Sequence, residues 1–262
     1  MRLVSLTCSN TEIVCALGRQ DWLVGVDDHS DFPAEVVGSL ARVGKDLNVD
    51  PDRVAALKPD LVLASLTVPG HDKVVASLTA RDLPIEVFQP FSLEDTFNDI
   101  LRMGILLDAS ENAQRLVLDM RTRIEAIQNE TTVRPKVLVE WWPKPVIGAA
   151  QKSWVQDMLH LAGAQNVLGL RDCESTPITN DEAVALAPEI VVISWCGVPD
   201  SHYRPSVVYG RSEWAEIPAV QHRQVYCISE AYLGRPGPRV VEGIEALHRC
   251  VQDYHQTVLG LG

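Results

Sequence analysis

The sequence predicts an α/β fold: two Rossmann-like lobes with parallel-rich sheets, joined by one long α-helix, with a ligand cleft between the lobes. Three observations lead there. Short aliphatic runs such as Val137-Leu-Val139 and Ile190-Val-Val-Ile193 are continuous rather than alternating, as strands buried on both faces are. The segment Asp50–Ser65 then repeats without a gap as Thr179–Ser194, with Asp52/Asp181, Ala56/Ala185, Leu57/Leu186, Pro59/Pro188, Val62/Val191 and Ser65/Ser194 coinciding. Each copy reads as cap, short helix, proline and buried strand, so the chain carries the same unit twice. Finally, Leu116, Met120, Ile124 and Ile127 form one apolar stripe over residues 110–129. A helix of about 20 residues spans ~30 Å, the width of a domain. The expected division is 1–108 for the first lobe, 109–131 for the connecting helix and 132–262 for the second.

In chain order, Leu3–Leu6 is a strand, and Ser9-Asn-Thr-Glu12 spells a capping box that opens a helix at Ile13-Val14. Trp22–Val26 is a second strand, running into Asp27-Asp-His-Ser-Asp-Phe-Pro33. Asp50 caps a helix whose first residue is Pro51. That helix leads through Pro59 to the strand Asp60–Ala64 and the exit loop Ser65–His71. A helix over 72–80, the strand Ile85–Phe88 and a helix opened by Ser92 complete the first half. In the second half Val137–Val139 is a strand, and the following Trp-Pro-Lys-Pro segment is expected to end it. Gln224–Ile228 is a late strand, and a closing helix begins near Pro238, with Leu247 and Val251 on its apolar face.

Composition excludes several function classes. The chain has 262 residues, is 46% hydrophobic and carries a net charge of -12. Nucleic-acid phosphates need clustered Lys and Arg, so nucleic acid is not the partner. No stretch approaches the ~20 apolar residues of a membrane span. Met1-Arg2 enters the first strand without a leader pattern, which implies the cytoplasm, or the periplasm if this is a mature form. Six cysteines show no CxxC spacing and no disulfide or zinc framework, and Cys15 and Cys227 lie in apolar patterns expected to be buried. A nucleophile elbow, a Walker loop and a dinucleotide fingerprint are all absent.

Open α/β sheets bind ligands beyond the carboxyl ends of their strands. Trp141 and Trp142 follow a strand directly, so one of the pair is expected to meet ligand while the other packs in the core. Trp195 follows the repeated strand and is expected at the same cleft. Aromatic residues concentrate in the second half (Tyr203, Tyr209, Trp214 and Tyr232 besides the tryptophans), which suits a large, flat, partly apolar ligand. His29 stands among carboxylates, but a single histidine is a thin basis for a metal site. His160, His248 and His255 fall on predicted helices and are expected at the surface.

The segments Ser-Asn-Thr-Glu, Ser-Asp-Phe-Pro, Ala-Leu-Lys-Pro-Asp-Leu-Val and Arg-Pro-Gly-Pro-Arg resemble those of class III substrate-binding proteins of ABC importers. Within that class the chain is most similar to the vitamin B12 binders. The resemblance implies a non-catalytic, monomeric protein that needs no cofactor and grips cobalamin or a related corrinoid. Its ligand contacts would be His29, Phe32, Thr67, Trp141, Trp142, Trp195, Glu230, Tyr232 and Arg235. His29 stands where B12 binders place a ligand-contacting tyrosine, so its imidazole becomes a candidate axial ligand of cobalt. Ser65 stands where a tryptophan is expected, and Ala162 where periplasmic relatives have the first cysteine of a disulfide. If the protein is exported, Asp72 and Glu213 would dock an importer permease. Two alternatives stay open: a siderophore or haem binder of the same fold, and a tetrapyrrole-acting enzyme such as a chelatase. The enzyme would require an exposed pair of His29 with Asp27 or Asp31.

Overall fold

A computed structural model describes residues 1–127 and 132–260. The chain divides into two compact units, Met1–Pro90 with Asp95–Asp119 and Phe91–Glu94 with Met120–Gly262. These boundaries differ from 108 and 132 because two helices, not one, carry the chain from unit to unit. Their ranges are given below, and the final residues of the expected connecting helix, 128–131, lie outside the described residues.

The first unit opens with β1 (Leu3–Ser5), α1 (Cys8–Ala16), β2 (Leu23–Val26), α2 (Ala34–Val37) and β3 (Ala41–Arg42). A small hairpin, β4 (Gly44–Lys45) and β5 (Asn48–Val49), precedes α3 (Pro51–Ala56), β6 (Leu61–Ser65), α4 (His71–Thr79) and β7 (Ile85–Phe88). Next come α5 (Leu93–Leu106) and α6 (Ser110–Glu125), the two helices within which the chain changes unit. The second unit continues with β8 (Lys136–Pro143), β9 (Val146–Ala149), α7 (Trp154–Leu161), β10 (Gln165–Asn166), β11 (Ser175–Ile178) and α8 (Asn180–Leu186). It ends with β12 (Ile190–Ile193), α9 (Pro205–Tyr209), α10 (Pro218–Gln221), β13 (Val225–Cys227), α11 (Glu230–Leu233) and α12 (Val240–Thr257).

The first sheet runs β3-β2-β1-β6-β7 and is parallel throughout. The second runs β11-β9-β8-β12-β13, with β10 also on β8. Its β8, β12 and β13 are parallel, whereas β9 runs antiparallel to both β8 and β11. The repeated segment supplies a strand with a neighbour on each side in both sheets: β6 between β1 and β7, β12 between β8 and β13. Strands so placed pack helices on both faces and are apolar along their length, as the fully buried Ile190–Ile193 run shows.

Several local expectations hold for stated reasons. Asp50 accepts hydrogen bonds from the amides of Asp52 and Arg53, with Pro51 at the first helical position. Thr179 and Glu182 close a reciprocal capping box on α8. Lys58 and Ala187, equivalent in the repeat, both adopt left-handed backbone (φ 48° and 46°), and Pro59 and Pro188 follow them. Each helix therefore stops at the same register and turns into its strand.

Others do not hold. The capping box at Ser9 is not formed: α1 starts at Cys8 with Thr7 as its N-cap and no side-chain cap. Ser9 and Glu12 lie inside the helix and are buried, because the strand turns into the helix too early for Ser9 to cap it. Trp142-Pro143 does not break β8. Beyond Glu140 the strand keeps only β9 as a neighbour, so proline there removes no interior ladder bond. Trp22 closes a short 3-10 helix rather than opening β2. Cys227 is exposed at the sheet margin. His255 is buried, its Nε2 3.0 Å from the Val133 carbonyl oxygen, because α12 packs that face inward.

Burial, with Asp95 one turn away, pushes the Asp99 carboxyl on α5 up to about 7. Raised in the folded state, this group contributes stability below the ordinary carboxylate range that is lost as pH rises through about 7. Asp99→Asn should therefore leave the melting temperature little changed near pH 4 and raise it above wild type at pH 8. A thermal-melt series in which the difference is the same at both pH values would contradict this.

Candidate functional site

In the first unit the carboxyl ends of β1, β2 and β6 meet in a buried lattice of hydroxyls. Thr11 Oγ1 donates to Ser5 Oγ at 2.8 Å and lies 2.9 Å from Ser30 Oγ. Ser30 Oγ donates to Asp27 Oδ1 at 2.5 Å, and the His29 amide donates to Asp27 Oδ2 at 2.9 Å. Nearby, Ser65 Oγ accepts from Asn10 Nδ2 at 3.2 Å and lies 3.3 Å from Thr7 Oγ1. The serine that stands in place of an expected tryptophan is thus a buried member of this lattice. Asp27 is only 1% exposed. Burial holds its carboxyl above the usual carboxylate range, even though the Ser30 hydroxyl and His29 amide favour its charge.

This lattice presents His29 and Phe32 outward; both are exposed. Thr67 is half-buried in the loop after β6. That loop is anchored by buried His71, whose Nδ1 accepts from the Val68 amide at 3.3 Å and whose Nε2 lies 2.6 Å from Asp46 Oδ1 in the β4–β5 turn. Asp72, one residue on, is exposed in the first turn of α4.

In the second unit the β8–β9 ladder shifts register between Glu140 and Trp142, leaving Trp141 at a bulge. Trp141 is half-buried, and its carbonyl accepts from the Cys196 amide at 3.1 Å. Trp142 is 42% exposed, with its indole N–H on the Lys144 carbonyl at 3.1 Å. Both stay clear of the core, one partly enclosed and one facing out, where the sequence placed one of them in the core.

Trp195 does not. At 6% exposure it belongs to the core with Tyr203 and Trp214, so the three cannot form an open aromatic wall. The reason is Glu140, wholly buried in β8 where that strand's pairing with β12 ends. Its Oε1 accepts from the Trp195 indole at 2.8 Å and from Arg211 Nη2 at 2.8 Å, while its Oε2 accepts from Arg211 Nη1 at 2.6 Å. Arg211 in turn lies over the Trp214 ring at 4.3 Å, and Tyr203 packs edge-on against Trp195, its hydroxyl donating to the Trp195 carbonyl at 2.8 Å. A buried carboxylate needs every lone pair served, and Trp195 turns inward to serve one of them. The bidentate Arg211–Glu140 pair was not foreseen; a charged residue ending an apolar strand was the one available signal.

The loop after β13 is likewise tied. Arg235 Nε lies 3.3 Å from Glu230 Oε2, and Arg239 sits 5.5 Å from the centroid of the half-buried Tyr232 ring. The Trp154 indole donates to the Leu233 carbonyl at 2.7 Å. Arg235 is therefore a compensated cation rather than one held ready for an anionic group. Glu213 is exposed in a 3-10 turn, Ser212–Trp214.

No group of three or more His, Cys, Asp or Glu side chains is placed to hold a metal among the described residues. Of the two carboxylates that the enzyme alternative could pair with His29, Asp27 is buried and Asp31 is exposed. Nor is any helix among the described residues long and apolar enough to cross a membrane.

The family model described as periplasmic binding protein matches residues 3–232. An ABC transporter substrate-binding lipoprotein of Bacillus subtilis is 32% identical over 258 residues, which are 95% of this chain and 79% of that protein. A vitamin B12-binding protein of Vibrio parahaemolyticus is 26% identical, covering 93% of this chain and 86% of the relative. Among solved structures, the periplasmic vitamin B12 binding protein of Vibrio cholerae superposes with a TM-score of 0.74 at 23% identity, covering 96% of each chain. A periplasmic heme binding protein of Pseudomonas aeruginosa superposes at 0.80 and 25% identity, covering 94% of this chain and 91% of that one.

Removing one partner of a buried bidentate pair strands the other's charge, at a cost of about 3–5 kcal/mol. Arg211→Ala should lower the unfolding free energy of the second unit by about that amount in urea titration. A loss below about 1 kcal/mol, the range of exposed pairs, would show that Glu140 does not depend on Arg211.

Proposed function

The chain belongs to the periplasmic binding protein family, as a substrate-binding protein of an ABC importer, and from that premise we propose that its ligand is cobalamin or a related corrinoid. The observation that carries this is the charge around His29. The loops 27–33 and 65–71 contain no Lys or Arg, exposed Asp28 and Asp31 flank the histidine, and the one cation bonded to the turn, Arg42, is directed to the carbonyls of Asp27, Ser30 and Val37. A haem or siderophore bearing carboxylates would meet like charge there, whereas a corrinoid presents a rim of uncharged carboxamides that donate and accept hydrogen bonds. Trp141, Trp142 and Tyr232 offer apolar faces to the macrocycle in the second unit. Glu230, with Arg235 already paired to it, offers an acceptor rather than an anion trap.

In this reading His29 touches the ligand, either through a carboxamide or by placing its imidazole on cobalt. Phe32 and Thr67 border it. Asp72 and Glu213, both exposed acids, are the proposed permease contacts. A second reading, haem, is favoured by one feature alone: an exposed imidazole suits haem iron as well as cobalt.

Titration with cobalamin, haem and a ferric siderophore, followed by visible absorption, separates these readings. Cobalamin should bind at least tenfold more tightly than haem, and His29→Ala should weaken it by roughly tenfold, about 1.4 kcal/mol. If the imidazole sits on cobalt, binding shifts the corrin bands and the shift disappears in the variant. Tighter binding of haem would overturn the corrinoid reading.

A further inference from the structure

We propose that Asp27 is a positioning residue for ligand recognition: its buried carboxylate fixes the turn that presents His29. The proposal rests on the corrinoid reading above and deepens it. His29 is exposed as a side chain yet held at both polar groups of its backbone. Its amide donates to Asp27 Oδ2 at 2.9 Å, and its carbonyl accepts from the Cys8 thiol at 3.0 Å. The two anchors come from different elements, the end of β2 and the start of α1.

The rest of the turn is held in the same way. Asp27 Oδ1 accepts from Ser30 Oγ, which lies against Thr11 of α1. Arg42, at the end of β3, donates to the carbonyls of Asp27 (2.8 Å), Ser30 (2.7 Å) and Val37 (3.0 Å). Arg42 thus spends its donors on carbonyl oxygens and leaves the Asp27 carboxylate to the turn. A carboxylate excluded from water is costly unless its hydrogen bonds matter. Here both oxygens are committed to the two residues that set the direction of the imidazole. A backbone held by its surroundings loses less freedom when the side chain it carries binds, which favours affinity without any new contact.

The test is a thermodynamic cycle on the full chain with cobalamin as probe, joined to amide hydrogen exchange without ligand. Asp27→Ala should accelerate exchange at the His29 amide and weaken cobalamin about tenfold. Asp27→Asn keeps an acceptor for that amide and should restore most of the affinity. The double variant Asp27→Ala, His29→Ala should bind no more weakly than His29→Ala alone, because Asp27 acts only through His29. Thermal melts of each variant establish that it is folded.

Losses that simply add in the double variant, or unaltered exchange at His29 in Asp27→Ala, would overturn the proposal while leaving the corrinoid reading intact. A wild-type chain that fails to bind cobalamin would overturn that reading, and this proposal with it, before any variant is compared.

Discussion

Two strands with neighbours on both sides, β6 and β12, set the terms for everything else. A strand enclosed on both edges and both faces can carry no unpaired polar group along its length. Polar chemistry is therefore driven to the strand ends, where Ser65 and Ser194 stand at equivalent positions of the repeat. The left-handed residues Lys58 and Ala187 fix where each strand begins, and so fix where it ends. Because the two copies keep the same register, both sheets deliver their carboxyl ends at the corresponding point of the fold.

What lies at those ends differs between the units. In the first it is hydroxyls, an amide and the buried Asp27 carboxyl, with Ser65 satisfied by Thr7 and Asn10. In the second, Ser194 Oγ finds no partner among the described residues, and the dominant group is a buried ion pair wrapped by indole rings. One edge is thus a polar turn with an acidic rim, the other a braced strand carrying Trp141 and Trp142. The braced strand also explains why an aromatic count overstates an aromatic wall: Trp195 donates to Glu140, Tyr203 packs on Trp195, Trp214 lies against Arg211, and all three are buried.

The fold was legible wherever one local rule decided the outcome. Asp50-Pro51 and the cap that opens the second copy at Thr179 announced their helices because capping is a matter of a few neighbouring atoms. The repeat announced two interior strands, β6 and β12, because burial on both faces leaves a continuous aliphatic run. Legibility failed where a residue answered to a distant partner. Ser9-x-x-Glu12 has the spelling of a cap, but tertiary burial placed it inside α1. Trp195 has the position of a ligand residue, but Arg211, sixteen residues on, and Glu140, fifty-five before, draw it inward. The support of His29 by Asp27 and Cys8 was likewise invisible, since twenty-one residues separate Cys8 from the carbonyl it holds.

The claim beneath this account is that the carboxyl-terminal strand ends, and no other surface, carry the ligand. A crystal structure of the chain grown with cobalamin tests it directly. The account predicts corrin density against the turn bearing His29 and against Trp141 at the bulge of β8. Density at the amino-terminal edge of either sheet, or on an outer helix face with those residues untouched, would contradict it.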